Sequence, residues 1–243
     1  MWRYILYPAG FRGPGIIPVF ACLTTGLVMP AGAAWGGTIR GTVKFTGGAP
    51  VQRKVPVTID QYVCGKEKDA EELVLSPEKG IRNAVVSLQN PPSGSKLDGS
   101  QAPATVMDQK QCVFVPRVVI VPVGGSVQFL NSDRLLHNVK SLSKENPPFN
   151  RAQPHARTIT MVFKKPEILR VDCDLHSWMH GWVIVVEHPF YAVTNDRGEF
   201  TLDGVPPGKY TLQVWQESLG TVTTEVAVDD KTSQPVTVEM GKK

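Results

Sequence analysis

Four side chains in the second half of the chain are of the types that bind a soft transition metal. Cys173, His176 and Met179 follow one another at intervals of three residues, and His137 lies 36 residues before the cysteine. A thiolate, two imidazoles and a thioether form the ligand set of a blue-copper site, in which the methionine is a weak axial ligand. The pattern therefore indicates one-electron chemistry at a single type 1 copper ion bound by these four residues.

Other metal sites fit this set of residues less well. Zinc rarely recruits a thioether, so Met179 argues against a closed zinc site. A two-copper electron-transfer site needs two bridging thiolates, and Cys173 is the only cysteine in this stretch. The C-x-x-C-H sequence of haem attachment is absent, and five histidines are too few for the copper cluster of an oxidase. The remaining alternative is a buried structural cysteine with surface histidines nearby.

The residues beside the candidate ligands have predicted roles of their own. Asn138 follows the first ligand, and we expect its amide to hydrogen-bond across the site and fix the ligand loop. His180 follows Met179 and is predicted to be a solvent-exposed residue at the rim of the site. His155, in a polar proline-rich stretch, and His188 are predicted to lie on the surface.

Strands must position these ligands, because apolar and polar residues alternate over much of the chain from Trp35 and no stretch has a convincing helical period. Leu169, Val171 and Cys173 share one face of a strand at a period of two, which directs the thiol to the interior. Several other strands are apolar on both faces, as in the middle of a β-sandwich. The polar, proline-rich and glycine-rich residues 90–103 are predicted to form a linker or a long surface loop.

Residues 1–34 have the composition of a secretory signal peptide. They contain Arg3 and Arg12 but no acidic residue, then an apolar stretch over residues 16–29 and small residues up to Ala34. About 14 apolar residues fall short of the roughly 20 needed to span a bilayer, so a membrane anchor is the less favoured alternative. The protein is therefore predicted to be periplasmic or otherwise exported, with no stable membrane span in the mature chain.

Charge and cysteine content restrict the kinds of binding partner and the cellular compartment that the sequence predicts. The chain has 26 basic and 22 acidic residues, a near balance that gives no reason to expect nucleic acid or an anionic membrane as partner. If Cys173 binds the metal, Cys64 and Cys112 are free to form a disulfide in an oxidising compartment. We favour this disulfide over two free thiols, which would be open to oxidation.

The stretch from about Cys112 to Glu187 resembles the cupredoxins, and within them amicyanin and plastocyanin. The segments that carry this resemblance are residues 121–131, His137-Asn138-Val139 and the spacing Cys173-x-x-His176-x-x-Met179-x-Gly181. The resemblance implies a Greek-key sandwich over residues 103–188 and electron transfer without turnover of a substrate. It also implies redox partners such as c-type cytochromes or a dehydrogenase. Leu175 and Ser177 stand where amicyanin has prolines, which implies a less rigid ligand loop.

Other segments resemble the carboxypeptidase-regulatory-like, or transthyretin-like, β-sandwich. They are residues 41–43, 84–88, 194–200 and 206–212. These segments occur in that family's order and are split by the cupredoxin-like stretch. The two resemblances together imply an all-β protein in which residues 35–95 and 189–243 form one discontinuous sandwich around a cupredoxin-like domain.

The sequence as a whole predicts an exported copper protein, not an enzyme, that carries single electrons between periplasmic donor and acceptor proteins. The outer imidazole of His176 is expected to reach the surface through an apolar patch formed by Leu135 or Leu136 and Trp178. Two alternatives stay open. One is a module that delivers or stores copper, and the other is an adhesion or scaffold protein whose metal is incidental.

Overall fold

The computed structural model describes residues 36–48, 53–229 and 235–241. Strands account for 52% of these residues and a short helical turn for 2%, so the predicted all-β class is confirmed. Within the described ranges, no helix is long enough and apolar enough to cross a membrane. The predicted signal peptide at residues 1–34 lies outside the described residues.

Strands of three to nine residues and a short helical turn follow one another along the chain. They are β1 (Gly37–Phe45), β2 (Lys54–Pro56), α1 (Gln61–Cys64), β3 (Glu67–Asp69), β4 (Val85–Leu88), β5 (Thr105–Lys110), β6 (Val113–Val115), β7 (Val118–Pro122), β8 (Ser126–Asn131), β9 (His137–Ser141), β10 (Phe149–Gln153), β11 (Ile159–Val162), β12 (Glu167–Asp172), β13 (His180–Val186), β14 (Tyr191–Val193), β15 (Glu199–Val205), β16 (Gly208–Gln216), β17 (Gly220–Val228) and β18 (Val236–Met240). The predicted loop at residues 90–103 contains no strand.

Strands β5 to β13 form a two-layer structure that we call the central sandwich. One sheet has the order β10-β9-β12-β13-β7 and the other has the order β11-β8-β5-β6. The pairs β7–β13 and β5–β8 are parallel, and the other pairs are antiparallel. Leu169 and Val171 of β12 point into the core between the sheets, while Arg170 between them is exposed, as the period of two predicted.

A second two-layer structure, which we call the flanking sandwich, is formed by strands that precede the central sandwich in the sequence together with strands that follow it. Its sheets have the orders β15-β1-β18 and β14-β4-β16-β17. Strand β1 runs antiparallel to β15 and parallel to β18, and β4 lies between β14 and β16. The sandwich is therefore discontinuous, as predicted.

Strand β13 connects the two sandwiches because both of its faces are buried. Val183 and Val185 lie in the core of the central sandwich. Ile184 and Val186 face the other way, into a separate apolar cluster that includes Val85 of β4. Burying side chains of this size is worth about 1.5–3 kcal/mol each, so this cluster stabilises the contact between the sandwiches.

A buried ion cluster lies at the same contact. Arg117, just before β7, donates from Nε to Oε1 of Glu217 in the β16–β17 turn (2.7 Å), and His180 Nε2 lies 2.9 Å from the other Glu217 oxygen. Arg117 also contacts the His180 ring. Burial alone would raise the Glu217 pKa, but the hydrogen bonds to His180 and Arg117 outweigh it and hold the pKa at about 2. The prediction that His180 is an exposed rim residue is therefore wrong, because Glu217 and Arg117 enclose it.

Residues 53–69 pack on the central sandwich, whereas the sequence assigned them to the first part of the other one. Strands β2 and β3 pair in a small hairpin that encloses α1. Val57 and Cys64 are buried in the core of the central sandwich. Cys64 is bonded to Cys112, which confirms the predicted disulfide. This covalent link and the burial of Val57 hold the segment to the central sandwich.

Candidate metal centre

The structure brings three of the four candidate ligands together. His137 is the first residue of β9, Cys173 follows β12, and His176 lies in the turn that leads to β13. The Cys173 sulfur lies 3.8 Å from His137 Nδ1 and 3.5 Å from His176 Nδ1, and the two nitrogens are 3.0 Å apart. All three side chains are buried.

The size of this triangle fits a metal ion. A point equidistant from the three donor atoms lies about 2.0 Å from each, close to the roughly 2.0–2.3 Å typical of metal–nitrogen and metal–sulfur bonds. Two nitrogens and one sulfur around a central point form the trigonal donor set of a blue-copper site. The residues present therefore fit a single soft metal ion.

Met179 lies in the same turn with its side chain buried. Its backbone N–H donates to the His176 carbonyl (2.8 Å), and its own carbonyl accepts from the Cys173 N–H (3.2 Å). These two hydrogen bonds close the turn from Cys173 to Met179. The candidate axial residue is thus part of the same hydrogen-bonded loop as two of the other candidate ligands.

The Cys173 thiol is prepared to ionise. Burial by itself raises the pKa of a thiol, but His137 and the backbone N–H groups of Asn138, His176 and Leu175 hydrogen-bond to the sulfur and lower the Cys173 pKa below its usual value. The thiolate is the form that binds metal. Cys173 is also the free cysteine among the described residues.

A carboxylate holds the far nitrogen of the first imidazole. Asp133 Oδ2 lies 2.9 Å from His137 Nε2, and the backbone N–H groups of Gln111 and Cys112 donate to the same carboxylate at 2.7 and 2.8 Å. Burial tends to raise the Asp133 pKa, but these bonds lower it overall. Asp133 thus remains charged and leaves His137 Nδ1 free to face Cys173.

The second imidazole has a matching partner from a distant part of the sequence. Asp60 Oδ2 lies 3.1 Å from His176 Nε2. Burial lowers the His176 pKa; the hydrogen bond to Asp60 opposes this, and the electrostatic effect of the neighbouring His137 adds to it. The neutral imidazole that results is the form that binds a metal.

Asn138 has the role that the sequence predicted. Its Oδ1 accepts the backbone N–H of Asp174 (2.7 Å), and its Nδ2 donates to Oδ1 of Asn150 (2.8 Å). Asn150 also donates to the Asp174 carboxylate (2.9 Å). These bonds connect β9 and β10 to the ligand loop just after Cys173, which fixes the loop against the sheet.

The prediction that His176 reaches the surface is wrong. Its side chain is fully buried, because Asp60 covers one end and the Trp178 ring packs against it with centroids 5.2 Å apart. Trp178 is itself half-buried and donates its indole N–H to the Cys112 carbonyl (3.1 Å). Of the predicted patch, Leu136 is exposed.

The other two histidines differ from each other. His188 is buried between the strands, with its ring 4.5 Å from that of Tyr191, so its predicted surface position is wrong. Burial lowers the His188 pKa. His155 is exposed, as predicted, and its Nδ1 hydrogen-bonds to the Asp133 carbonyl (2.9 Å).

Sequence reasoning missed the two carboxylates that hold the imidazoles. Asp133 lies four residues before His137, and an acidic residue this close to a candidate ligand was a usable signal for a carboxylate–histidine pair. Asp60 is 116 residues from His176, so no local pattern relates the two. Only the fold of residues 53–69 brings Asp60 to the site.

Comparisons with known proteins agree with this architecture. Residues 180–241 match the carboxypeptidase regulatory-like domain. The match begins at β13 and covers the C-terminal strands of the flanking sandwich, while β1 and β4 of that sandwich lie outside it. No curated protein matches the chain at a significant level.

Three solved copper-protein structures show weak similarity to part of the chain. A Cu-containing nitrite reductase from Thermus scotoductus SA-01 is 24% identical over 37% of this chain and 27% of its own, with a TM-score of 0.34. A purple cupredoxin from Nitrosopumilus maritimus is 21% identical over 34% of this chain and 99% of its own, with a TM-score of 0.30. A reduced amicyanin variant is 20% identical over 43% of this chain and 99% of its own, with a TM-score of 0.32. The assignment of the site therefore depends on its own donor atoms.

Proposed function

We propose that this protein is an exported type 1 copper protein that carries single electrons between a donor and an acceptor protein and turns over no substrate. The observation that supports this most is the buried triangle formed by Cys173 Sγ, His137 Nδ1 and His176 Nδ1, with sides of 3.0–3.8 Å. When bound there, copper supplies a reversible one-electron couple. Met179 is proposed as the weak axial ligand.

The role of the polypeptide is to hold these donors still. Small rearrangement between oxidation states makes electron transfer fast, and the site is fixed from several sides. Asp133 orients His137, Asn138 holds the ligand loop to β9, and the backbone of Met179 closes the turn. Interactions of this kind orient ligands and tune the metal in known metalloproteins.

The disulfide supports the proposed location. Disulfides persist in oxidising compartments such as the periplasm and are rare in the cytosol. Cys64 and Cys112 are bonded in the structure. Together with the signal peptide expected at residues 1–34, this favours a periplasmic or otherwise exported protein.

Exposed apolar residues around the ligand loops offer a surface for a redox partner. Leu136 and Leu175 each precede a candidate ligand and are 48% and 44% exposed, and Ile59 and Tyr62 are exposed on either side of Asp60. A small apolar surface suits partners that dock briefly. We propose c-type cytochromes or a dehydrogenase as partners of this surface.

Copper storage or delivery is the second candidate. The observation that favours it is the complete burial of His176 beneath Asp60, which slows access to the bound ion. A storage protein needs no reversible couple, so the two functions predict different electrochemistry.

The test is a visible spectrum and a voltammogram of the purified protein loaded with Cu(II). We expect an intense thiolate-to-copper charge-transfer band and a reversible one-electron couple. Cys173→Ser should abolish the band, whereas Ser177→Ala, on the exposed side of the same turn, should keep it. Tight binding of colourless, tetragonal Cu(II) by the unmodified protein would overturn electron transfer and leave storage or delivery.

A further inference from the structure

The two carboxylates that hold the imidazoles come from different segments. Asp133 follows β8 and binds His137, and Asp60 immediately precedes α1 and binds His176. We call residues 57–64 the covering segment, because it contains Asp60 and lies over the outer edge of His176. Without this segment, that edge would lose its polar partner and face solvent.

Both carboxylates are connected to the same disulfide. On one side, the Cys64 N–H donates to the Asp60 carbonyl (2.9 Å), so Asp60 and Cys64 are the two ends of the α1 turn. On the other side, the Cys112 N–H donates to Asp133 Oδ2 (2.8 Å). The Cys64–Cys112 bond therefore joins, through one short turn and one hydrogen bond, the groups that orient both imidazoles.

The disulfide also connects to the ligand loop directly. The Cys112 carbonyl accepts the indole N–H of Trp178 (3.1 Å), and the Trp178 ring packs edge-on against His176. Movement of Cys112 would thus displace Trp178, which packs on His176, as well as Asp133.

The backbone at Asp60 indicates that its contact with His176 is specifically maintained. Asp60 has φ 54° and ψ 34°, in the left-handed region that a non-glycine residue adopts only at an energetic cost. An aspartate before a helix usually accepts hydrogen bonds from the first turn, but the Asp60 side chain makes none to α1. Its carboxylate is directed to His176 instead.

The covering segment has few other attachments. A helix of four residues is too short to be stable by itself, and the flanking strands β2 and β3 have three residues each. Val57 and Cys64 are its buried apolar residues, while Ile59 and Tyr62 are exposed. The disulfide is the covalent attachment of this segment to the central sandwich, and the packing of Val57 and Val63 on that core adds to it.

We propose that the Cys64–Cys112 disulfide controls access to the copper site, so that its reduction releases the covering segment, uncovers His176 and speeds exchange of the ion. This inference rests on the proposed copper function. The reductant is a dithiol, which transfers two electrons and two protons to the disulfide. Cys64 and Cys112 become thiols, and the dithiol becomes a disulfide.

The first experiment uses the apo-protein and so does not depend on copper. Diethylpyrocarbonate modifies accessible imidazoles, and peptide mass spectrometry reports the rate at each histidine. We expect His176 to react slowly in the oxidised protein and about tenfold faster once the disulfide is cleaved with a dithiol that is then removed. His155, exposed in the structure, serves as the internal control and should react at the same rate in both forms.

Two variants distinguish release of the covering segment from unfolding of the whole protein. Cys64→Ser/Cys112→Ser should reproduce the reduced protein, with circular dichroism to show that the sandwiches persist. Asp60→Asn keeps the disulfide and should still increase His176 labelling, whereas Asp196→Asn, an exposed acid of the flanking sandwich, should not. Equal His176 rates in the oxidised and the reduced protein would overturn the proposal, whether or not the double variant folds and whatever the rate in Asp60→Asn.

The second experiment uses the copper-loaded protein. A chromophoric Cu(I) chelator should remove copper from the double variant about tenfold faster than from the oxidised protein, in line with the effect of losing groups that orient metal ligands. If no copper binds at the triangle, the proposed function fails while the labelling result stands. If copper binds but leaves both proteins at the same rate, control by the disulfide fails and the copper function stands.

Discussion

The two sandwiches are made of similar strands, but their interiors differ in chemistry. The flanking core is largely apolar, and its buried polar side chains in the described residues include Ser87, Thr194 and Gln216. The central sandwich buries a larger polar set, which includes Gln109, Asn131, Asp133, His137, Asn138, Ser141, Asn146, Gln153 and His176. Burying so many polar groups is costly unless they are paired, so they must be arranged for a purpose other than packing.

In the central sandwich four of these residues form a hydrogen-bonded chain that ends at a candidate ligand, His137. Gln109 Nε2 donates to Gln153 Oε1 (2.7 Å), and Asn131 Nδ2 donates to the Gln153 carbonyl (2.7 Å). Asn131 Oδ1 accepts the N–H of Asp133 (3.0 Å), and Asp133 holds His137. Buried networks of this kind specify one arrangement. The central core is thus organised around the position of an imidazole, and the flanking core around close packing.

The largest effect is expected from a mutation that creates a cavity in the flanking core, because it should lower stability without changing the candidate metal site. Leu212 is fully buried there, and Leu212→Ala should lower the free energy of unfolding by about 2–5 kcal/mol, from lost burial and the cavity left behind. The copper charge-transfer band should stay unchanged in the folded protein. Urea unfolding and a visible spectrum measure both. Lys209→Ala, exposed on the same strand, should change stability by less than about 0.5 kcal/mol. An altered band in folded Leu212→Ala would contradict the separation.

Acid tests the contact between the sandwiches. The folded-state pKa of Glu217 is about 2, below the usual 4.5, so its stabilisation is present above pH 4.5 and is lost as the pH falls toward 2. The loss attributable to this one group should be about 3 kcal/mol, since each unit of pKa shift corresponds to about 1.4 kcal/mol. Glu217→Gln should reduce the pH dependence of urea unfolding in this range by that amount. Glu225→Gln, at an exposed glutamate of β17, is the matched control.

The polar chain of the central sandwich predicts a loss of metal affinity. Asp133→Asn removes the charge that orients His137 and should weaken copper binding about 10–100-fold, as loss of a carboxylate partner of a metal-binding histidine does elsewhere. Competition against a chelator of known affinity measures the change. Asp203→Asn, at an exposed acid of β15 that hydrogen-bonds Thr38, is the matched control and should bind copper normally. Unchanged affinity in Asp133→Asn would mean that the network serves folding alone.

The smallest effect is expected at the surface of the central sandwich. Lys140 pairs with Asp174 at 2.8 Å beside the ligand loop, but both side chains are partly exposed. Lys140→Gln should leave the free energy of unfolding nearly unchanged and the charge-transfer band in place, because exposed ion pairs are screened by water. A shifted band would show that the loop depends on this pair as well as on Asn138.

Local patterns in the sequence predicted a large part of this molecule. Alternation in β12 oriented Cys173 inward, and the spacing of Cys173, His176 and Met179 placed them in one turn. The pairing of Cys64 with Cys112 followed from compartment and cysteine count. These features depend on residues that are close in the sequence or on the number of cysteines in the chain.

Features set by distant packing were not predicted. His176 is buried because Asp60 reaches it from 116 residues away, and His180 is buried because Glu217 lies on the other sandwich. The sequence shows that a histidine can ionise, bind metal or face solvent, but which of these occurs depends on the segment that covers it. Strand alternation describes two faces of one sheet and carries no information on what packs against the outer face.

The pairing of β1 has a consequence for the newly synthesised chain. Both of its partners, β15 and β18, come late, and roughly 190 residues separate β1 from β18, which takes on the order of 10–40 s to translate at about 5–20 residues per second. Strands β5 to β13 find all their sheet partners among themselves and can close first. During that interval β1 is an unpaired strand with one apolar face and two free edges, the kind of segment that aggregates unless a chaperone binds it. The nascent protein is therefore expected to need a holding chaperone at Gly37–Phe45 longer than at any strand of the central sandwich.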